Sequence, residues 1–76
     1  MFAPLKGRKV IDLTQVLAGP YCSYQLGLLG ADVIKIEPQD GGDWARIGGR
    51  DAALSDAGLA AGFLTQNAGK RSIAID

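Results

Sequence analysis

Histidine is missing from all 76 residues. That absence excludes Ser-His and Cys-His catalysis, and any His-ligated metal, within this segment. Cysteine occurs once, at Cys22, so no internal disulfide can form and a reducing cytoplasm is the default compartment. Net charge is also lacking: eight Lys and Arg balance eight Asp and Glu. A balanced chain gives no electrostatic case for nucleic acid or an anionic membrane surface. No apolar run approaches the roughly 18 residues that a membrane span needs. The opening MFAPLKGRKV has neither the apolar stretch nor the cleavage site of a signal peptide. Repeats and low-complexity tracts are absent as well. What is present is 47% apolar content, the composition of a globular chain.

The organising stretch runs from Val10 to Glu37 and predicts strand, loop, helix, strand. Val10–Leu13 is a short apolar run that fits a buried strand. Pro20 suits the first helical position, where its missing N–H is not needed. Cys22, Leu26 and Leu29 fall at i, i+4 and i+7, one face of a helix over Pro20–Leu29, with Cys22 expected as an inert core thiol. Gly27 inside that helix suggests close approach of another backbone, and Gly30 suits a left-handed helix end. Val33, Ile34 and Ile36 mark a second strand over Asp32–Glu37. Such a unit is a parallel, right-handed βαβ crossover. A long Gly- and Asp-rich connection, Pro38–Gly58, follows. A short helix over Leu59–Gln66, with Ser55 or Asp56 as upstream cap, and a third strand over Ser72–Asp76 complete the α/β pattern.

In an open α/β sheet, ligands lodge at the carboxyl ends of strands, which places the Thr14–Ala18 loop as the candidate binding turn. Backbone N–H groups and a helix start there suit an anion or a nucleotide; an ordinary connector is the alternative reading. The loop lacks the G-x-G-x-x-G spacing of a dinucleotide site, although Glu37 stands where the ribose-binding acid would. Asp40 and Asp43 flank Gly41-Gly42, a turn expected to expose two solvated carboxylates rather than to hold a cation. Arg46 is expected to anchor the long loop to Asp40 or Asp43, with phosphate or carboxylate binding as the other possibility. Lys70-Arg71 beside Ser72 suits either a phosphate or a solvated loop.

Combined, these fragments resemble a known family. They are Leu5-x-Gly7-x-x-Val10-x-Asp12-x-Thr14, Leu17-Ala18-Gly19-Pro20, Leu29 to Glu37, Gly42-Asp43-x-x-Arg46, and Asn67-x-x-Lys70-Arg71-Ser72-Ile73-x-x-Asp76. In that order and spacing they resemble the N-terminus of the class III coenzyme A transferases. That family includes formyl-CoA and carnitine-type transferases and the α-methylacyl-CoA racemases. The resemblance covers nearly the whole chain except Ile47–Ala61. It implies a Rossmann-like α/β domain that binds coenzyme A, here only its N-terminal βαβ-(α)β portion, and two full-length subunits interlocked as a homodimer. It implies transfer through anhydride and enzyme-CoA thioester intermediates on a catalytic aspartate. That residue would lie downstream, so no acid present here is catalytic.

By the same resemblance, Val16, Leu17 and Ala18 contact coenzyme A, partly through backbone groups. Ile75 matches an apolar position packed on the adenine, and Lys70 and Arg71 are coenzyme A neighbours. Leu17 departs from relatives with glutamine there, and Pro38 from relatives with a basic residue near the adenine and phosphate end. The resulting expectation is the N-terminal part, residues 1–76, of a cytoplasmic enzyme that moves CoA between an acyl-CoA and a carboxylic acid. Coenzyme A thioester is its substrate, and it has no permanently bound cofactor, no metal, and no nucleic-acid or membrane partner. The alternatives are a 2-methylacyl-CoA racemase or epimerase on the same scaffold, which needs an acid/base pair, and an inactive fragment that at most binds a nucleotide. Met1 is expected to be an authentic start and Asp76 a truncated end. The segment alone is expected to lack transferase activity.

Overall fold

The fold is described from a computed structural model, which covers residues 2–76; Met1 lies outside the described residues. Strand β1 is Lys9–Asp12, helix α1 Ala18–Leu28 and strand β2 Asp32–Pro38. A single 3₁₀ turn at Trp44–Arg46, helix α2 (Ala52–Asp56), helix α3 (Ala61–Asn67) and strand β3 (Arg71–Ile75) follow. The three strands form one parallel sheet in the order β1-β2-β3. The expected βαβ crossover and third strand are therefore both present; β1 and β3 each start and end one residue earlier than predicted, and β2 runs one residue further.

Helix α1 begins two residues earlier than expected. Ala18 is its first residue, and Pro20 is buried in the first turn. Proline is tolerated there because the opening N–H groups of a helix have no intrahelical partner. The C-terminus closes as the sequence suggests: Gly30 has φ +107°, the Gly30 N–H donates to Gly27 O, and the Ala31 N–H donates to Leu26 O. This pair of bonds is the Schellman motif, which a residue without Cβ adopts without strain.

The inward face of α1 is not the Cys22–Leu26–Leu29 stripe. Cys22 is exposed and so is Leu29; Pro20 and Ser23 are buried instead. The reason lies in the sheet beneath. Ser23 Oγ donates to Asp12 Oδ2 at 2.6 Å, so the helix rests on a buried carboxylate and needs a small polar residue there. Gly27 faces the Val33 side chain, not another backbone: a Cβ built on it would lie 3.6 Å from Val33 Cγ2.

Register decides what each sheet face carries. Val10 pairs with Val33, Asp12 with Lys35, Lys35 with Ser72 and Glu37 with Ala74, so these residues share the face under α1. Val33, Lys35 and Glu37 are all buried. The opposite face carries Ile11, Ile34, Ile36, Ile73 and Ile75, and Ile11, Ile73 and Ile75 keep large exposure. Parallel sheets are normally covered on both faces.

The Pro38–Gly58 connection is more ordered than its composition suggests. Asp43 caps the 3₁₀ turn through the Ala45 N–H, and Asp51 caps α2 through the Leu54 N–H. Helix α3 starts at Ala61 without a side-chain cap, so the expected cap at Ser55 or Asp56 is not made.

Candidate functional site

The turn after β1 leaves Asp12 and reaches α1 through Leu13–Leu17. Val16, Leu17 and Ala18 are exposed at the carboxyl end of β1, the edge where open α/β sheets receive ligands. Val16 has φ +73° and is the one non-glycine residue in the left-handed region among the described residues. For a β-branched side chain this is a strained conformation. Gly19 permits the turn to fold back on itself, because a Cβ there would fall 2.4 Å from Thr14 Cβ.

Buried charge holds the turn from below. Asp43 Oδ1 accepts from the Val16 N–H at 3.0 Å, and Oδ2 lies 2.8 Å from the Lys35 ammonium. Lys35 Nζ also donates to Thr14 O at 2.9 Å, closing a ring from Thr14 through Lys35 and Asp43 to Val16. Asp12 accepts from the Thr14 N–H at 2.8 Å, the Thr14 hydroxyl, Ser23 and the Lys70 ammonium. Burial alone would raise the Asp12 carboxyl; these donors, Ser23 foremost, outweigh it and hold the group well below the usual carboxylate range. Asp43 follows the same pattern: burial works upward, and Lys35 with the Ala45 and Val16 N–H groups brings it down. Both acids are therefore fixed anions that shape the backbone, not proton donors.

A second cluster fastens the long connection. Arg46 is a planar fork on Glu37, with Nε to Oε1 at 2.7 Å and Nη2 to Oε2 at 2.6 Å. It also donates to Gly58 O and stacks 3.9 Å from the Phe63 ring centroid. Glu37 further accepts from the Asp43 N–H at 2.8 Å and from Ser72. Arg46 is the main cause that lowers Glu37 to about 2, against burial, with Ser72 and the Asp43 N–H adding to it. Two expectations are corrected here. Arg46 is anchored to Glu37 rather than to Asp40 or Asp43, and Asp43 is buried rather than a solvated turn carboxylate. Glu37 is committed to this ion pair and does not project as a free ribose-binding acid.

The remaining candidates are spread out. Lys70 is turned inward: its ammonium meets Asp12 Oδ2 at 3.0 Å, Pro20 O at 3.0 Å and Asn67 Oδ1 at 2.7 Å. Burial pulls its pKa below the usual lysine range, and Asp12 restores it only in part. Arg71 lies on the isoleucine face, paired with Asp32 at 2.6 Å in an exposed bridge. Ile75 ends β3 on that same face. The structure thus brings Val16, Leu17 and Ala18 together and does not bring Lys70, Arg71 or Ile75 to them.

Two depressions open near the carboxyl ends of the strands, one of them beside the turn. One, about 280 Å³, opens between Val16–Leu17 and a wall formed by Ile47, Ala60, Gly62 and Gln66. The other, about 360 Å³, lies over the carboxyl ends of β2 and β3, beside Pro38, Gly42 and Ser72. The sequence reading missed Lys35 and Gln66 and took Asp43 for a solvated turn carboxylate. For Lys35 a signal existed, since it stands in phase with Val33 on an alternating strand. No three His, Cys, Asp or Glu residues group as a metal site among the described residues, and no described helix is long and apolar enough to cross a membrane.

Comparison with known proteins adds what geometry alone cannot. The family model for CoA-transferase family III matches residues 5–76. A succinate–glutarate CoA-transferase of Agrobacterium fabrum is 46% identical over 76 residues, covering 96% of this chain and 19% of that protein. The succinyl-CoA:glutarate CoA-transferase of Homo sapiens is 42% identical over 73 residues, covering 96% of this chain and 16% of that protein. Among solved structures, a CAIB/BAIF family protein from Brucella suis superposes with a TM-score of 0.82 at 43% identity, over 100% of this chain and 20% of that one. The chain spans about a fifth or less of the length of these relatives.

Proposed function

The chain belongs to CoA-transferase family III, and from that premise we propose that it forms the N-terminal part of an enzyme that moves coenzyme A from an acyl-CoA to a free carboxylic acid. The observation that carries this reading is the exposed turn Val16–Ala18 at the carboxyl end of β1, held in a strained shape by Asp43 and Lys35. Strain kept at an exposed ligand edge by buried ions favours a binding turn over a plain connector. The role of this segment is to bind and orient the thiol carrier. Val16, Leu17 and Ala18 line its path with backbone groups and apolar side chains.

The chemical step falls to a carboxylate outside these residues. That carboxylate attacks the thioester carbonyl, forming a mixed anhydride and releasing the CoA thiolate, which returns to the enzyme acyl carbon as the first acid leaves. The acceptor carboxylate then attacks the enzyme–CoA thioester, displacing the CoA thiolate and forming a second mixed anhydride; the thiolate attacks the acceptor acyl carbon, giving the new acyl-CoA and regenerating the enzyme carboxylate. No resident cofactor takes part. The isoleucine face of the sheet supports incorporation in a larger domain, and the full-length enzyme is proposed to act as a cytoplasmic homodimer.

The test is direct. The full-length protein, given an acyl-CoA and a second carboxylic acid, is expected to exchange CoA between them, whereas the 76-residue segment alone is expected to show none. Full-length protein that fails to bind coenzyme A, or transfer by the segment alone, contradicts the reading.

A further inference from the structure

Lys70 reaches back along the chain to both ends of the turn after β1. Its ammonium donates to Asp12 Oδ2 at 3.0 Å, 58 residues away, and to Pro20 O at 3.0 Å, 50 residues away. Asp12 closes β1 and accepts from the Thr14 N–H and hydroxyl, where the turn begins. Pro20 lies in the first turn of α1, just past the point where the Leu13–Leu17 turn ends. One cation therefore ties the entry of that turn to its exit. The third N–H of the ammonium goes to Asn67 Oδ1 at 2.7 Å, and Asn67 is aimed by its own Nδ2, which donates to Phe63 O at 2.9 Å. An ammonium has three donors and no acceptor, so its hydrogen bonds are all made inside the fold. The Lys70 and Asp12 side chains are both out of solvent. This brace is separate from the Lys35–Asp43 pair, which holds the middle of the turn at Thr14 O and the Val16 N–H.

We propose that Lys70 is a positioning residue for coenzyme A: through Asp12 and Pro20 O it fixes the span of the turn, and so aligns Val16, Leu17 and Ala18 on the ligand without touching it. The inference rests on the reading of that turn as the coenzyme A turn. Two other roles for this lysine predict different behaviour. A lysine bound directly to a coenzyme A phosphate acts through an ion pair at the solvent boundary, which salt screens. A lysine that only stabilises the fold changes how much protein is folded, not how tightly a folded molecule binds. A brace changes the affinity of the folded molecule, and because its contacts are buried the change persists in high salt.

The experiment uses the full-length protein and calorimetric affinities for free coenzyme A at low and high salt. Lys70→Met keeps most of the apolar stem and removes the ammonium. It is expected to bind coenzyme A about tenfold more weakly per folded molecule, the scale on which a small misplacement of binding groups is felt. The ratio to wild type is expected to be the same at both salt concentrations. Asp12 keeps its Thr14 and Ser23 donors in this variant, which favours folding. If it nevertheless folds poorly, Asp12→Asn combined with Lys70→Met leaves neither charge of the pair buried alone and is expected to show the same salt-independent loss. Wild-type affinity in either folded variant, or a loss that shrinks toward high salt, overturns the proposal. Failure of wild type to bind free coenzyme A overturns the underlying reading of the turn instead.

Discussion

The Asp43 carboxylate and the Val16 N–H meet at 3.0 Å across 27 residues of sequence. This contact joins the start of the long connection to the turn after β1, and it holds a β-branched residue at φ +73°. Asp43 is itself held by Lys35, with both side chains out of solvent. A buried pair of this kind is weak evidence for net stability, because its desolvation opposes its attraction. Its value here is conformational: it sets the backbone of the candidate binding turn.

Asp43→Ala in the full-length enzyme leaves Lys35 buried without its anion and frees Val16. Breaking one partner of a buried pair is expected to remove about 3–5 kcal/mol of stability, read by urea unfolding. Affinity for coenzyme A is expected to fall in the fraction that remains folded.

Val16→Gly separates stability from function. A non-glycine residue in the left-handed region costs about 1–3 kcal/mol, and glycine relieves that strain while losing about 0.5–1 kcal/mol of backbone entropy. The melting temperature is expected to hold or rise while coenzyme A binds more weakly. A clear drop in melting temperature would mean that the Val16 backbone is not strained.

Two glycines of α1 should respond in opposite ways to alanine. At Gly19 the new Cβ collides with Thr14, and overpacking is expected to cost about 1–3 kcal/mol. At Gly27 it meets Val33 Cγ2 at 3.6 Å, ordinary contact, and helix propensity is expected to add about 0.5–1 kcal/mol. Thermal unfolding of both variants checks the packing of the helix on the sheet.

Acid dependence follows from Glu37. Its carboxyl is lowered from 4.5 to about 2 in the folded protein. A lowered carboxyl stabilises the fold above pH 4.5, and that stabilisation fades as pH falls through 2. The gap corresponds to about 3 kcal/mol at neutral pH. Glu37→Gln is expected to be less stable than wild type by about that amount at pH 7, with the difference closing toward pH 2. Asp12 and Asp43 shift in the same direction, so wild type is expected to lose stability throughout this acid range.

Much of this architecture was legible in the chain because its signals are local. Gly30 after Leu29 marks a helix end, Val33, Ile34 and Ile36 mark a strand, and the turn after β1 falls where a parallel sheet receives ligands. The polar core was harder to see. Apolar content in β2 masks the fact that Lys35 and Glu37 share a face with Val33, and only the two-residue period exposes it. The inward face of α1 was misjudged because a helix seated over a carboxylate selects Pro20 and Ser23 rather than Cys22 and Leu29. The partners of Val16, Arg46 and Lys70 could not be read at all, since Asp43, Glu37 and Asp12 reach them through tertiary folding. Propensity also points away from a left-handed valine.

Amide hydrogen exchange of the full-length enzyme tests the central claim most directly. Coenzyme A is expected to slow exchange of the Val16, Leu17 and Ala18 amides, and NAD to leave them unchanged. Coenzyme A bound at saturation with these amides still exchanging at their free rates would place the ligand elsewhere and contradict the account.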